Sequence, residues 1–311
     1  MTFDLLVEVG EENQRLDVWL VSKLEGVSRT TIQKMLKGGL VTVGVRTAPA
    51  NHKTRAGERF QGSVPPQEPL SAAPADIPLK IVYEDDDIII VDKEAGMVVH
   101  PAKGHENDTL VNALLFKGKI LSDAGEDGLR PGIVHRLDKD TTGLIAIAKN
   151  AAAHAALSEQ LKSREMGREY LAVVRGEMKK SSGTIDKPIG RHKIHRKKMT
   201  VNDARSAGSR EAQTLFETVE TFPNKNAALL KINLKTGRTH QIRVHLSSIG
   251  NPIIGDTVYG KEKTNLIGRP ALHAAKLRLV HPTTRETMVF EAPVPPDFLA
   301  LLDALRSTKR R

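Results

Sequence analysis

Asp138 has the surroundings best suited to chemistry in this chain. It stands two positions after Arg136 within Gly132-Ile133-Val134-His135-Arg136-Leu137-Asp138-Lys139-Asp140-Thr141-Thr142-Gly143. An extended backbone there would put both side chains on the same side. A carboxylate beside a guanidinium is held charged and can act as base or nucleophile. The same pair also reads as a structural ion pair at a turn, the commoner use of charges in loops. Asp138 with Asp140 would further suit a metal-dependent nuclease, but no additional carboxylate cluster accompanies them.

The flanking residues say what must hold that loop. Ile133 and Val134 lead in, and Gly143 releases the backbone into residues 144–148, a short apolar run read as a buried strand. Further along, Glu169-Tyr170-Leu171-Ala172-Val173-Val174 alternates as a strand. Tyr170 and Leu171 point to opposite faces, so Tyr170 can face a cleft while Leu171 enters the core; equally, its hydroxyl can find a partner inside. In Thr236-Gly237-Arg238-Thr239-His240-Gln241-Ile242-Arg243-Val244-His245-Leu246, Gly237 permits a turn and Thr239 can cap a short helix. Arg238 lies in the turn, and Arg243 sits one turn into the helix, where its planar fork can meet a carboxylate.

The chain has 311 residues, which predicts two domains, one with a substantial core. It carries 47 Lys and Arg against 37 Asp and Glu, a net charge of +10, which favours a polyanionic partner such as nucleic acid. Aromatic residues make up 4%, too few for a broad base-stacking platform, so phosphate contact and RNA shape are the expected modes. The chain has no cysteine, which excludes disulfides and Cys-ligated zinc. No apolar run approaches the ~20 residues that cross a bilayer, and the N-terminus lacks a secretory pattern. A cytoplasmic protein is expected.

In the first 62 residues, Leu16, Leu20 and Leu24 with Trp19 predict a helix ended by Gly26. A second helix follows, capped by Ser28, with Ile32, Met35 and Leu36 inward, and then a strand turned at Gly44. Arg29, Lys34, Lys37, Arg46, Lys53 and Arg55 make this unit basic, either a phosphate-binding face or a solvated surface. Residues 62–78 hold five prolines and no apolar period, a semi-extended linker. Beyond it, strands are expected at 79–84 and 88–92, then at 212–221, 227–234, 272–280 and 287–291. Helices are expected after Asn150 and over 297–306. Lys93 and His100 are candidates for phosphate contact, though each alone is more often structural. The run Arg191-His192-Lys193-Ile194-His195-Arg196-Lys197-Lys198 is the densest basic segment and a candidate RNA-backbone contact.

Two resemblances organise these readings. Arg15-Leu16-Asp17, Ser28-Arg29, Ile32-Gln33, Leu36, Gly39 and Val41-x-Val43 resemble the alpha-L RNA-binding domain of a small-subunit ribosomal protein, with Val43 where an Asn usually precedes the hairpin glycine. His135-Arg136-Leu137-Asp138, Arg168-Glu169-Tyr170 and the 236–245 motif together resemble the RluA family of RNA pseudouridine synthases, in particular the RluD type that acts on large-subunit ribosomal RNA. Glu94 stands where that family usually has Pro after Lys.

The second resemblance implies an isomerisation: the N1–C1′ bond of uridine breaks, the uracil turns, and C5 takes its place on the sugar. Atoms balance and no electrons leave, so no cofactor or metal is needed. By the same carry-over Asp138 is the catalytic carboxylate, attacking C1′ or removing the C2′ proton to give a glycal. Arg243 pairs with it, Tyr170 packs on the uracil and assists proton loss at C5, and Arg136 fills the space of a flipped uridine. His135, Arg238 and, in the first domain, Arg29, Lys34 and Lys37 are expected RNA contacts. The expected fold is α+β: an RNA-binding domain at 1–62, a linker at 63–78, and a catalytic domain at 79–311 on a mixed, mainly antiparallel sheet with flanking helices. The expected partner of this monomer is ribosomal RNA, with no membrane. The alternatives are the same chemistry on transfer RNA, or a non-catalytic RNA-binding ribosome-assembly factor.

Overall fold

The computed structural model describes residues 2–24, 27, 29–44, 46–49, 51–64, 73–102, 104–119, 131–192, 195, 198–202, 208–260 and 264–307, without the side chains of residues 29 and 30. The chain divides into two units, Met1–Leu70 and Ser71–Arg311.

In the first unit β1 (Thr2–Leu6), α1 (Leu16–Lys23), α2 (Arg29–Lys37), β2 (Val41–Val43), β3 (Arg46–Thr47) and β4 (Arg59–Ser63) follow in order. The strands form an antiparallel sheet, β1-β4-β2-β3. Leu16, Trp19 and Leu20 of α1 and Ile32, Met35 and Leu36 of α2 pack on Val41 and Phe60, the apolar stripe expected from their spacing. Buried Asp17 joins the two helices, accepting from Arg15 at 3.0 Å and Gln33 at 2.9 Å. β1 and β4 were not read from the sequence, because their apolar alternation is weak: β1 half-buries Phe3 and Leu5 but exposes Leu6, and Phe60 is the one buried residue of β4, with Gly62 beside it on the same face. Gly26 and Ser28, the expected helix stop and cap, lie outside the described residues.

The second unit runs β5 (Lys80–Glu84), β6 (Ile88–Lys93), α3 (Leu110–Phe116), β7 (Thr142–Ala148), α4 (Ala151–Lys162), β8 (Gly167–Arg175), β9 (Ser182–Asp186), β10 (Ile189–Arg191), β11 (Met199–Val201), β12 (Gln213–Phe222), β13 (Ala227–Leu234), α5 (Gln241–Ser248), β14 (Leu272–Val280), β15 (Thr287–Glu291) and α6 (Pro296–Arg306). Nine strands make one sheet in the order β5-β6-β7-β14-β8-β13-β12-β9, with β15 beside β14. Every pairing in it is antiparallel except β7–β14, as the expected α+β class requires.

Both faces of the central strands are covered, which is why β7 is buried throughout and apolar from Leu144 to Ala148. Ile145 and Ile147 join one core with α3 and with Phe298, Leu301 and Leu305 of α6. Leu144, Ala146 and Ala148 join another with Ala153 and Leu157 of α4. Asn150 caps α4 by accepting the Ala153 amide at 2.8 Å. At Gly143, φ is +106°, and a Cβ would collide with the Ala274 carbonyl, so glycine lets β7 meet β14. The end of the expected linker is fastened: Asn112 of α3 donates to the Ala73 carbonyl at 2.6 Å. Residues 65–72 of that linker lie outside the described residues.

Candidate active site

Asp138 sits in the loop that precedes β7, and that loop is anchored from three sides. Gly132 accepts the Ala148 amide at 2.8 Å, laying residues 132–135 back along β7. His135 Nε2 accepts the Ala146 amide at 3.0 Å. The Asp138 carbonyl accepts the Thr141 amide at 3.1 Å, closing a turn. Lys93 supplies a further clamp. Its buried ammonium donates to the carbonyls of Glu94, Met97 and Lys139, at 2.8, 3.1 and 2.9 Å. This fixes the loop that carries Glu94, and it gives Lys93 a structural task.

The expected side-by-side pairing of Arg136 with Asp138 does not form. The turn comes only after Asp138, closed by Thr141, and Arg136 is exposed while Asp138 is half-buried; Arg136 makes no hydrogen bond or ion pair among the described residues. Asp138 pairs with Arg243, whose Nη1 donates to Oδ2 at 3.1 Å. The other edge of that guanidinium is held by Asp256, which accepts from Nε at 2.7 Å and Nη2 at 2.9 Å. Asp256 is fixed in turn by the amides of Val258 and Tyr259 at 2.9 and 3.0 Å. The Tyr259 ring lies 5.1 Å from the guanidinium carbon, within cation–π range. Burial opposes the charge on Arg243, yet Asp256 and Asp138 outweigh it and hold its pKa above the ordinary value. Burial likewise works against the charge on Asp256, and Arg243 with the two amides keeps its pKa low.

Arg243 arrives on α5, whose start differs from expectation. Thr239 does not cap the helix; His240 occupies that position in a left-handed conformation, φ 55°, with no side-chain cap. Gln241 does the fastening: its Oε1 accepts from the Arg238 amide at 3.0 Å and the Thr236 hydroxyl at 2.8 Å, and its Nε2 donates to Gln213 and Thr214 of β12. His240 Nδ1 meets the Tyr259 hydroxyl at 2.8 Å, and its Nε2 comes within 4.0 Å of Asp138 Oδ1. Burial lowers its pKa.

Tyr170 rises from β8 opposite a break in the β14 register between His273 and Lys276, a bulge beside the site. It is 3% exposed, so it belongs to the core as well as to the cleft, and the more exposed neighbour is Leu171. Its hydroxyl has no hydrogen-bond partner among the described residues. Burial raises its pKa; the charge of Arg168 works against this and that of Asp138 adds to it.

Two cavities meet at Asp138 and Tyr170. One of about 590 Å³ is also lined by His135, Arg136, Arg168 and Arg238. The other, about 40 Å³, contains Arg243 and His240. The structure thus brings together Asp138, Tyr170, Arg243, His135, Arg136 and Arg238. Lys34 and Lys37 are exposed on α2 of the first unit; the side chain of Arg29, like Lys193, Ile194, Arg196 and Lys197 of the basic run, lies outside the described residues. Sequence reasoning missed Asp256, Tyr259 and His240. The signal at Asp256 was Gly255-Asp256 ahead of a turn, where an Asp side chain captures the amides that follow.

His135 enters this site as a neutral group. Burial, with Arg168 nearby, pushes its pKa down to about 3. An unfolded imidazole titrates near 6.5, so below that pH the unfolded chain takes up a proton that the folded chain refuses until about pH 3. Stability from this residue is complete above pH 6.5 and is lost as pH falls, by at most about 1.4 kcal/mol per pH unit. The urea midpoint is expected to drop between pH 6.5 and 4.5. The drop should be shallower in His135→Gln, whose side-chain oxygen can still accept the Ala146 amide.

Residues 87–248 match the RNA pseudouridylate synthase family. An uncharacterized RNA pseudouridine synthase of Bacillus subtilis is 43% identical over 304 residues, covering 97% of this chain and 98% of its own. Ribosomal large subunit pseudouridine synthase D of Nitrosomonas europaea is 42% identical, over 98% of this chain and 88% of its own. The solved structure of human RNA pseudouridylate synthase domain containing 1 is 26% identical, with a TM-score of 0.56 over 75% of this chain and 97% of that one. The chain belongs to the RNA pseudouridylate synthase family. It is an RNA-modifying isomerase that converts uridine to pseudouridine. No helix among the described residues is long and apolar enough to cross a membrane.

Proposed function

We propose that this enzyme isomerises uridines of large-subunit ribosomal RNA in the cytoplasm, using the first unit to hold the RNA. The observation that carries the target is the extent of the likeness. The relative named for the large ribosomal subunit matches 98% of this chain, the basic first unit included. Lys34, Lys37, Arg46, Lys53 and Arg55 are all exposed on that unit, available to backbone phosphates, and Arg29 adds to them in sequence.

In the second unit Asp138 acts on the ribose, and either route, attack at C1′ or removal of the C2′ proton, uses its carboxylate. Arg243 aims it, because a guanidinium already held on one edge by Asp256 presents its remaining N–H in a fixed direction. Tyr170 offers a flat apolar face to the uracil and a hydroxyl without a protein partner. That hydroxyl is available when C5 loses its proton and N1 gains one. Exposed, unpaired Arg136 enters the gap left by the flipped nucleotide, offsetting part of an unstacking cost of a few kcal/mol. Arg238 and neutral His135 complete the RNA-facing wall.

Carbodiimide-primed reverse transcription tests the target in a strain lacking the gene. One or more stops in large-subunit ribosomal RNA should vanish and return on complementation. Stops lost only from transfer RNA would move the substrate there, and no lost stop would refute the target altogether.

A further inference from the structure

Arg168 is the cation that the arrangement around Asp138 leaves unused. It is only 9% exposed, on β8 two residues before Tyr170, and it lines the larger cavity. Among the described residues its side chain makes no hydrogen bond or ion pair, and its buried Nε has no acceptor. A buried guanidinium without a counter-charge is unfavourable. The surrounding chain nevertheless makes room for it: a Cβ on Gly237 would lie 2.8 Å from its Nη1.

We propose that Arg168 receives one backbone phosphate of the RNA strand next to the flipped uridine, fixing which nucleotide lies over Asp138. This rests on the reading that the reaction takes place at Asp138. Four considerations select phosphate. The group is a full charge, and a charge is what relieves it, whereas the uracil carbonyls are neutral. A guanidinium fork matches two phosphate oxygens. Arg168 lines only the larger cavity and Arg243 only the smaller, with Asp138 common to both, so Arg168 lies to one side of the reacting sugar. Along a strand, alternate residues on one face are about 7 Å apart, so a phosphate at Arg168 and a base at Tyr170 fit one stretch of the same strand. Lys162, Arg164 and Lys235 line the same cavity and continue the positive track.

The test pairs variants with an RNA oligonucleotide spanning the mapped uridine, in which single phosphates are replaced in turn by neutral methylphosphonate. In the full-length wild-type enzyme one replacement beside the target should weaken binding roughly 10–100-fold. Arg168→Met should lose a similar factor on natural RNA and nothing further from that replacement. Its plot of log Kd against log salt should flatten by about one contact, and Arg168→Lys should recover part of the loss. The melting temperature of Arg168→Met should equal or exceed that of wild type, since an uncompensated buried charge is removed.

Equal penalties in wild type and Arg168→Met at every phosphate would overturn the proposal. So would weaker binding with an unchanged salt slope, the mark of a carbonyl contact, or a lowered melting temperature with unchanged binding, the mark of a structural arginine. Should Arg168→Met fail to fold, Arg168→Lys and the methylphosphonate scan on wild type carry the same decision. Binding is read without turnover, so an error in the assignment of Asp138 would show in activity assays and leave these outcomes separate.

Discussion

Asp138→Asn is expected to lose pseudouridine formation by about 10⁴-fold or more, while the protein folds and binds RNA as before. Either route at the ribose uses a carboxylate: one needs its nucleophilic oxygen, the other its basicity, and an amide of the same shape offers neither. Little else changes. The Asn carbonyl can still accept from Arg243 Nη1, now 3.1 Å from the carboxylate, and Arg243 stays fixed by two bonds to Asp256. The stability change should stay within about 1 kcal/mol. In a deletion strain, the variant should fail to restore the missing reverse-transcription stops. Its affinity in a gel-shift assay should lie within about threefold of wild type.

Arg243→Met should be both inactive and markedly unstable. The carboxylate of Asp256 is fully buried, and without Arg243 only the amides of Val258 and Tyr259 remain to it. Breaking a buried pair from one side costs about 3–5 kcal/mol, or roughly 6–20 °C in melting temperature for a unit of this size. Adding Asp256→Asn to that variant should return part of the stability, because the uncompensated charge is gone, while activity stays lost. Arg243→Lys should fold better than Arg243→Met, yet remain at least about 100-fold impaired, since a single ammonium cannot hold Asp256 with two donors and still aim a third at Asp138. Denaturant melts and turnover measured on the same preparations check both statements. A double variant no more stable than Arg243→Met would mean that Asp256 is not the source of the instability.

The parts legible in the sequence were those written in local periodicity. Residues 144–148 read as a buried strand because every position is apolar, and Leu16, Trp19, Ile32 and Met35 fell on the inner faces of their helices. The loop bearing Asp138 was legible too, as a polar knot between apolar segments. What failed depended on conformation that spacing cannot carry. The i, i+2 argument for Arg136 and Asp138 considered only a local partner, whereas Asp138 pairs with Arg243, 105 residues further along the chain. Alternation along β8 separated Tyr170 from Leu171 but could not say which of the two faces was the inner one; residues 168, 170 and 172 are buried and 167, 169 and 171 half-buried. Asp256 lies 13 residues beyond Arg243 in an aperiodic loop, and the bond between them exists only once α5 is docked. His240 at φ 55° was equally hidden, since nothing in Thr239-His240-Gln241 announces a left-handed residue.

Tritium release from RNA labelled at uridine C5 tests the central claim most directly. RNA from the deletion strain would be incubated with purified wild-type enzyme and, in parallel, with Asp138→Asn. The wild-type chain should release tritium stoichiometrically with its target uridines, and Asp138→Asn should release none above background at an enzyme concentration that saturates binding. Release by Asp138→Asn within tenfold of the wild-type rate would contradict the account.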